Sequence, residues 1–256
     1  MSFTVEYLEY MLLVFVRISL ILAIAPFFSN VNIPRKVKIV ISFFVTLIVI
    51  NTVDFTSVTY DGAVGYAILV LKEAITGALI GTGSGICLYI LNFSGNMIDM
   101  EIGFAMAQEF DPMTNVNATL TTNFFTSIFM LMFLVSDMHY YVLDAILDSF
   151  KMIPIGGAKI DGSLLNIMVG YITDYFVIGF RIILPIFSCI LVINIVLGIL
   201  AKVAPQINMF VVGMQLKVFV GLTLLFFMLS LLSGVVDFLF NEMQTITNQL
   251  IQLMSS

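Results

Sequence analysis

Long apolar runs fill most of this chain of 256 residues, and they constrain its fold more than any motif does. The sequence is 61% hydrophobic and only 10% charged, and its mean hydropathy is +1.12. Soluble domains are nearer half apolar and a quarter charged. Because lipid offers the backbone no hydrogen-bond partners, runs of this length are predicted to be helices. The sequence therefore predicts an all-α, polytopic membrane protein built from long helical hairpins.

Two of the runs are longer than a simple span requires. Ala63–Phe93 is predicted either to tilt and extend beyond the lipid or to begin in the interface. In Leu164–Leu200, Pro185 removes a backbone hydrogen bond and is predicted to kink or divide the helix. The polar tail Asn241–Ser256 keeps a helical apolar spacing and is predicted to be helical and partly docked. The remaining runs are Tyr10–Phe28, Ile39–Val53, Phe124–Val135 and Met209–Phe240.

One polar stretch, Gly95–Asn123, interrupts the apolar sequence. It carries Asp99, Glu101, Glu109 and Asp111 without any Lys or Arg. A break of this kind in a membrane protein needs surroundings other than lipid. We therefore expect it to line or block a path through an assembly.

Three glycines spaced four residues apart, Gly77, Gly81 and Gly85, lie within one apolar run. This doubled G-x-x-x-G pattern places a smooth stripe on one helix face, where the backbone of a second helix can approach closely. The sequence leaves open whether that helix belongs to the same chain or to a different subunit.

Five charged residues lie inside apolar runs, where lipid would penalise them. They could form a transport relay or inter-subunit ion pairs, or they could reach the interface or pair locally. For Lys72 and Glu73, reaching the interface or pairing locally is favoured. For Arg17 and Arg181, buried pairing with carboxylates that the sequence does not identify is at least as well supported. A surrounding assembly would remove the penalty altogether. The five are Arg17, Lys72, Glu73, Arg181 and Lys217.

Catalytic and ligand-binding patterns are missing from the sequence. The formal net charge of -6 argues against nucleic acid as a partner. Cys87 and Cys189 are scattered, and His139 is the single histidine. Neither a metal site nor a phosphate-binding loop can be assembled from these residues. We predict no enzyme activity, no cofactor and no metal.

Several local patterns occur in an order that resembles the FliR family of flagellar and type III secretion export gates. The most specific is Ala204-Pro205-Gln206-x-Asn208-x-Phe210-x2-Gly213, followed by Lys217. The next is Gly103-Phe104-Ala105 with Asp111-Pro112. Weaker matches are Arg17 with Pro26, Pro34-Arg35, Lys72-Glu73 with Gly77 and Gly81, Asp99, Pro154-Ile155-Gly156, and Asn194-x3-Gly198.

The resemblance implies a structural subunit and not an enzyme. One copy would join several copies of FliP and FliQ in a helical, pore-forming hetero-oligomer, with which FlhB and further export components associate. Residues 1–180 would be a FliP-like part, and residues 181–256 a FliQ-like hairpin with a C-terminal tail. The location implied is the bacterial inner membrane, in contact with lipid, at the flagellar basal body. A flagellar system is favoured over a virulence injectisome on overall pattern.

By the same resemblance, the loop from Gly103 to Pro112 would be part of a plug that closes the channel. Gly103 and Ala105 would allow close backbone approach, Phe104 and Phe110 would supply apolar bulk, and Asp111-Pro112 would fix the turn. The acidic residues just before the loop, Asp99 and Glu101, are expected to hold its base.

The function expected is therefore a pore-forming subunit of the flagellar protein-export gate, through which unfolded substrates pass. The alternative is a secondary transporter of a small solute that uses Arg17, Arg181 and Glu73 at a midplane site. That class often shows internal repeats and broken helices.

Overall fold

The computed structural model describes residues 5–29, 33–53, 58–104 and 119–255, and within them every regular element is a helix. This confirms the predicted all-α class. The helices in chain order are α1 Val5–Ile24, α2 Arg35–Thr52, α3 Gly62–Ile102, α4 Leu120–Val135, α5 Met138–Met152, α6 Gly162–Val203 and α7 Met209–Ser255.

The long helices differ from the sequence expectations at their ends. Helix α3 runs through the beginning of the polar stretch to Ile102, so Asp99 and Glu101 lie on a helix and not in a loop. Helix α6 is one element through Pro185, so the proline does not divide it. Helix α7 continues through the polar tail, and its apolar side chains there are buried, which confirms the predicted helical, docked tail.

Four helices of the described chain are long and apolar enough to cross a membrane: α1, α3, α6 from Leu164, and α7. The pair of α4 and α5 would add a fifth, broken span. These lengths confirm a polytopic membrane protein.

The first of two compact units contains α1, α2, the part of α3 up to Cys87, α5, the start of α6 and the end of α7. Its buried core draws on α1, α5 and the end of α7, with Val14, Ile18, Ile146 and Leu250 almost fully enclosed. Tyr171 of α6 reaches the same core and donates its hydroxyl to Gln249 at 2.7 Å.

Two tyrosines hydrogen-bond to Glu9 near the start of α1: Tyr60, which lies just before α3, and Tyr66, which lies on α3. The hydroxyl of Tyr60 donates to a Glu9 carboxylate oxygen at 2.5 Å, and that of Tyr66 donates to the Glu9 carbonyl at 3.1 Å. The hydrogen bond to Glu9 raises the pKa of the Tyr60 phenol. A neutral phenol is needed as the donor, so the contact persists across physiological pH.

The second unit contains the end of α3, most of α4, and the long middle parts of α6 and α7. Phe93 on α3 packs edge-on to Phe176 and Phe180 of α6, with ring centroids 5.4 and 5.5 Å away. Beside them, the hydroxyl of Ser94 donates to the Gly179 carbonyl at 3.2 Å. Many large apolar side chains of α6 and α7 face outward, which suits lipid or partner subunits and not water.

The glycine stripe of α3 lies directly against α1. A Cβ atom added to Gly77 would lie 2.5 Å from the Arg17 carbonyl oxygen, and one added to Gly85 would lie 2.8 Å from the Ile24 carbonyl oxygen. At Gly81 the nearest backbone atom, Ile21 Cα, would be 3.2 Å away. Of the two alternatives left open by the sequence, the stripe packs within this chain.

This packing predicts a large effect of Gly77→Ala. The neighbour is backbone and cannot turn aside, so the helices must separate, at a cost of about 1–3 kcal/mol or more. The measurement is the thermal unfolding of the detergent-solubilised chain. Gly170→Ala on α6 is the matched control, because nothing lies within 4 Å of the added methyl. It should be neutral or stabilise the helix slightly. Equal unfolding temperatures for the two variants would contradict close packing at Gly77.

Candidate functional site

A fully buried ion pair joins α1 to α3. The Nε of Arg17 donates to Glu73 Oε2 at 2.6 Å, and its Nη2 donates to Glu73 Oε1 at 3.0 Å. Both side chains are 0% exposed. This is the two-pronged geometry that makes arginine–carboxylate pairs directional as well as strong.

The same arginine also binds the end of α5. Its Nη1 donates to the carbonyl oxygens of Ser149 at 3.1 Å and Ile153 at 3.0 Å. Its guanidinium lies 4.4 Å from the centroid of the Phe150 ring. Carbonyls at a helix C-terminus carry partial negative charge. The Ser149 carbonyl accepts from Arg17 in addition to the Ile153 N–H, so Arg17 binds the end of α5 and Glu73 together.

The turn after α5 is attached to the cluster through Gly156. Its N–H donates to Glu73 Oε1 at 2.8 Å, and its carbonyl accepts from Lys72 Nζ at 3.2 Å. Gly156 has φ +72°, a backbone conformation that other residues rarely adopt. Lys72 and Glu73 therefore bind the Gly156 backbone, and the local pair between them, one of the two arrangements favoured, is not formed. Consecutive helical residues point in different directions, and each side chain finds its own partner on the turn.

The other two charges are arranged differently. Arg181 is exposed on α6, so the expectation of burial does not hold within this chain, because the surrounding surface of α6 is itself exposed. Lys217 is half-buried and lines a groove of about 280 Å³ with Glu101, Gly103 and Phe210. Any burial of Arg181 in an assembly stays a prediction.

Hydrogen bonds join α3 and α4, the helices on either side of the polar loop. Asp99 of α3 is 0% exposed and accepts the Thr121 N–H at 2.9 Å through one oxygen. Its other oxygen accepts the Thr121 hydroxyl. Asp99 thus holds the base of the loop, as expected, whereas Glu101 lies in the Lys217 groove.

A second contact lies one turn earlier on α3. A Cβ added to Gly95 would be 2.6 Å from the Thr122 Cα atom, and the Thr122 hydroxyl donates to the Asn92 carbonyl at 3.3 Å. No contact of Thr121, Thr122 or Gly95 was predicted from the sequence. The sequence feature that could have indicated these contacts is the group of threonines just before the apolar sequence resumes.

Of the predicted plug residues, only Gly103 and Phe104 lie within the described chain. Phe104 is half-buried. Gly103 follows the last residue of α3 with φ +98°, and no atom of the described residues lies within 4 Å of where its Cβ would be. The positive φ favours glycine at this position, and the expected close backbone approach in an assembly stays a prediction. Ala105, Phe110, Asp111 and Pro112 lie outside the described residues.

The family turn motif connects α6 and α7. Ala204 is half-buried, whereas Pro205, Gln206 and Asn208 are exposed. The Asn208 side-chain oxygen accepts the Phe210 N–H at 3.2 Å and so caps α7. Gly213 is buried against the Leu197 side chain. In this chain the motif shapes the turn of a helical hairpin.

These contacts hold the helices of the chain together. No group of three or more His, Cys, Asp and Glu residues in the described ranges could hold a metal ion. Arg17 and Glu73 are fully enclosed and bind each other and the backbone. Of the residues suggested for a transporter site, Arg181 is exposed, whereas Arg17 and Glu73 are 0% exposed.

Comparison with known proteins agrees with the architecture. Residues 8–243 match the model of the family described as bacterial export proteins, family 1. The flagellar biosynthetic protein FliR of Bacillus subtilis is 30% identical over 244 residues, which is 93% of each chain. The protein of that name from Pectobacterium carotovorum is 28% identical, with 94% of this chain and 92% of the relative covered. The Escherichia coli protein of that name is 24% identical, with 88% and 86% covered.

The buried cluster predicts an unequal response to single and double substitution. Arg17→Met or Glu73→Leu leaves an uncompensated buried charge and should cost about 3–5 kcal/mol. The double variant should cost less than the sum of the two, because no charge is left buried. Thermal unfolding of the solubilised chain measures these differences.

A surface pair provides the control. Lys151 and Asp148 pair at 2.9 Å with side chains 61% and 55% exposed, so Asp148→Ala should change stability by less than about 0.5–1 kcal/mol. Single variants at Arg17 and Glu73 that unfold like this control would contradict the role of the buried pair.

Proposed function

Because the chain belongs to the bacterial export proteins, family 1, we propose that it is a structural, pore-forming subunit of the flagellar type III export gate. The family match covers residues 8–243 and carries the proposal. It confirms the resemblance to the FliR family that the motifs indicated. The names of the relatives favour a flagellar system over an injectisome.

The proposed partners are several copies each of FliP and FliQ, together with FlhB and other export components. Residues 1–180 would be the FliP-like part. Residues 181–256 would be the FliQ-like hairpin, made of the end of α6, the turn motif and α7. The outward-facing apolar side chains of α6 and α7 support this proposal, because they need lipid or other subunits to cover them. The proposed location is the inner membrane at the flagellar basal body.

The polar loop between α3 and α4 would help to close the export channel. Two apolar helices bring its ends together, and its base is fixed by Asp99 and Thr121. The loop sequence offers Phe104 and Phe110 as apolar bulk and no Lys or Arg. Unfolded substrates would pass when this plug moves aside, with energy supplied by other components of the apparatus.

A transporter of small solutes is less well supported. It would need Arg17, Glu73 and Arg181 to face a common site. The first two are 0% exposed and hydrogen-bond to each other and to the backbone. Neither lines the described cavities.

The proposal predicts that deleting Phe104–Phe110 makes cells permeable. Removing the plug should leave the gate assembled but open, so sodium ions or a small charged dye should enter several-fold faster than in the parent strain. Dye uptake is compared at equal amounts of assembled gate, measured through a tag on this chain.

A strain that lacks the whole chain is the control, because without a gate there is no pore to open. It should neither leak nor export flagellar subunits. A deletion variant that assembles and keeps the permeability of the parent would contradict the plug.

A further inference from the structure

We infer that one outward face of α6 binds a membrane helix of a different subunit, and that this helix places a carboxylate opposite Arg181. The face is named the α6 seam, and it consists of Asp174, Val177, Arg181, Leu184, Ser188 and Leu191. All six residues are exposed within this chain. The inference rests on the proposed function, because the partner helix would belong to another subunit of the gate.

Arg181 lies near the middle of Leu164–Val203, the part of α6 that is apolar enough to cross a membrane. At a rise of 1.5 Å per residue, about 25 Å or more of helix separates it from either end of this stretch. An arginine side chain is much shorter than that. The guanidinium therefore cannot reach past the ends of the apolar stretch, as a charge near a helix end can.

The immediate neighbours of Arg181 on the helix surface are apolar side chains that also face outward. Val177, Phe180 and Leu184 are 43%, 49% and 52% exposed. If lipid covered this face, hydrocarbon would surround a charge, which is costly. If water covered it, a large apolar surface would be hydrated instead. A protein surface that is apolar around one counter-charge avoids both costs.

The described residues do not supply that counter-charge. No ion pair among them includes Arg181. Asp174 is the one acidic residue of α6, but it lies seven residues before Arg181, which is about 10 Å along the helix axis. Charge complementarity therefore calls for a carboxylate from outside the described part of this chain.

The polar residues of the seam recur at a regular interval. Asp174, Arg181 and Ser188 are seven residues apart, which is almost two helical turns, so they follow one line along α6. Apolar residues lie between them at the alternating spacing of three and four by which helices pack side by side. A polar residue at such a position fixes the register of a partner helix. Lipid chains have no matching period, so the pattern favours a helix as the occupant.

The test places lysine at the seam by the substitution Arg181→Lys in the complete gate, purified through a tag on this chain. A water-soluble carbodiimide activates carboxylates. A lysine amine in contact with an activated carboxylate forms an amide, as one carboxyl oxygen leaves with the reagent as a urea. We expect peptide mass spectrometry to find the introduced lysine joined to an Asp or Glu of a different membrane subunit.

Two lysines serve as controls in this experiment. Lys151 lies 2.9 Å from Asp148 and should couple to it, which shows that the reagent works. Phe187→Lys is the matched variant, because Phe187 is also exposed on α6 but lies about a third of a turn away from Arg181 around the helix. It should couple to another subunit several-fold less. Equal coupling from the two introduced lysines would overturn the placement of the carboxylate opposite Arg181.

A second measurement uses the unaltered chain. A dicarbonyl reagent that modifies arginine should react with Arg181 in the isolated, detergent-solubilised chain, and several-fold more slowly in the assembled gate. Both rates are normalised to that of an arginine-containing peptide added to the same solution. The slower rate is expected because the partner helix covers the guanidinium.

The outcomes separate the seam from the proposed function. If the Arg181→Lys gate assembles and Lys151 couples, but the introduced lysine joins no other subunit or only a carboxylate of this chain, the seam is overturned and the proposed function stands. If this variant does not assemble, the unaltered chain decides: slower modification of Arg181 in the gate supports the seam, and equal rates overturn it. A chain that purifies without any other subunit overturns both.

Discussion

The buried pair of Arg17 and Glu73 is the interaction on which the rest of the first unit depends. It brings together α1, α3, the end of α5 and the Gly156 turn through hydrogen bonds that leave neither charge exposed. In lipid, helices gain little from hydrophobic contact with one another, so directional polar contacts carry more of their specificity. A buried pair of this kind need not add net stability, but breaking it is costly. It therefore favours one arrangement of these helices strongly over others.

The glycine stripe and the ion pair act together. Gly77 lies one turn after Glu73 on α3 and packs against the backbone of Arg17 itself. The close approach of α1 and α3 is what lets a short glutamate reach the guanidinium with two hydrogen bonds. On the same helix, Gly95 allows a similarly close approach to Thr122, next to the contact between Asp99 and Thr121. Helix α3 thus has the same combination at two places. In each, a glycine allows a neighbouring helix to approach closely, and a nearby carboxylate forms directional hydrogen bonds with that helix.

Hydropathy was sufficient to predict the helical class, because long apolar runs have no alternative in lipid. The glycine spacing predicted close packing but could not name α1 as the partner. Arg17 and Glu73 are 56 residues apart, so no local pattern could pair them, and adjacency suggested the wrong partner for Glu73. The exposure of Arg181 also could not be predicted from the sequence, because an apolar run does not show whether lipid, this chain or another subunit covers it. The positive φ of Gly103 also could not be predicted, because sequence does not distinguish a glycine needed for space from one needed for positive φ.

The proposed function requires this chain to work as one subunit among different partners. Native mass spectrometry of the detergent-solubilised complex, purified through a tag on this chain, can measure its composition. We expect a hetero-oligomer in which one copy of the chain is bound to several copies of two other membrane proteins. A monomer or homodimer of this chain that binds a small solute would contradict it.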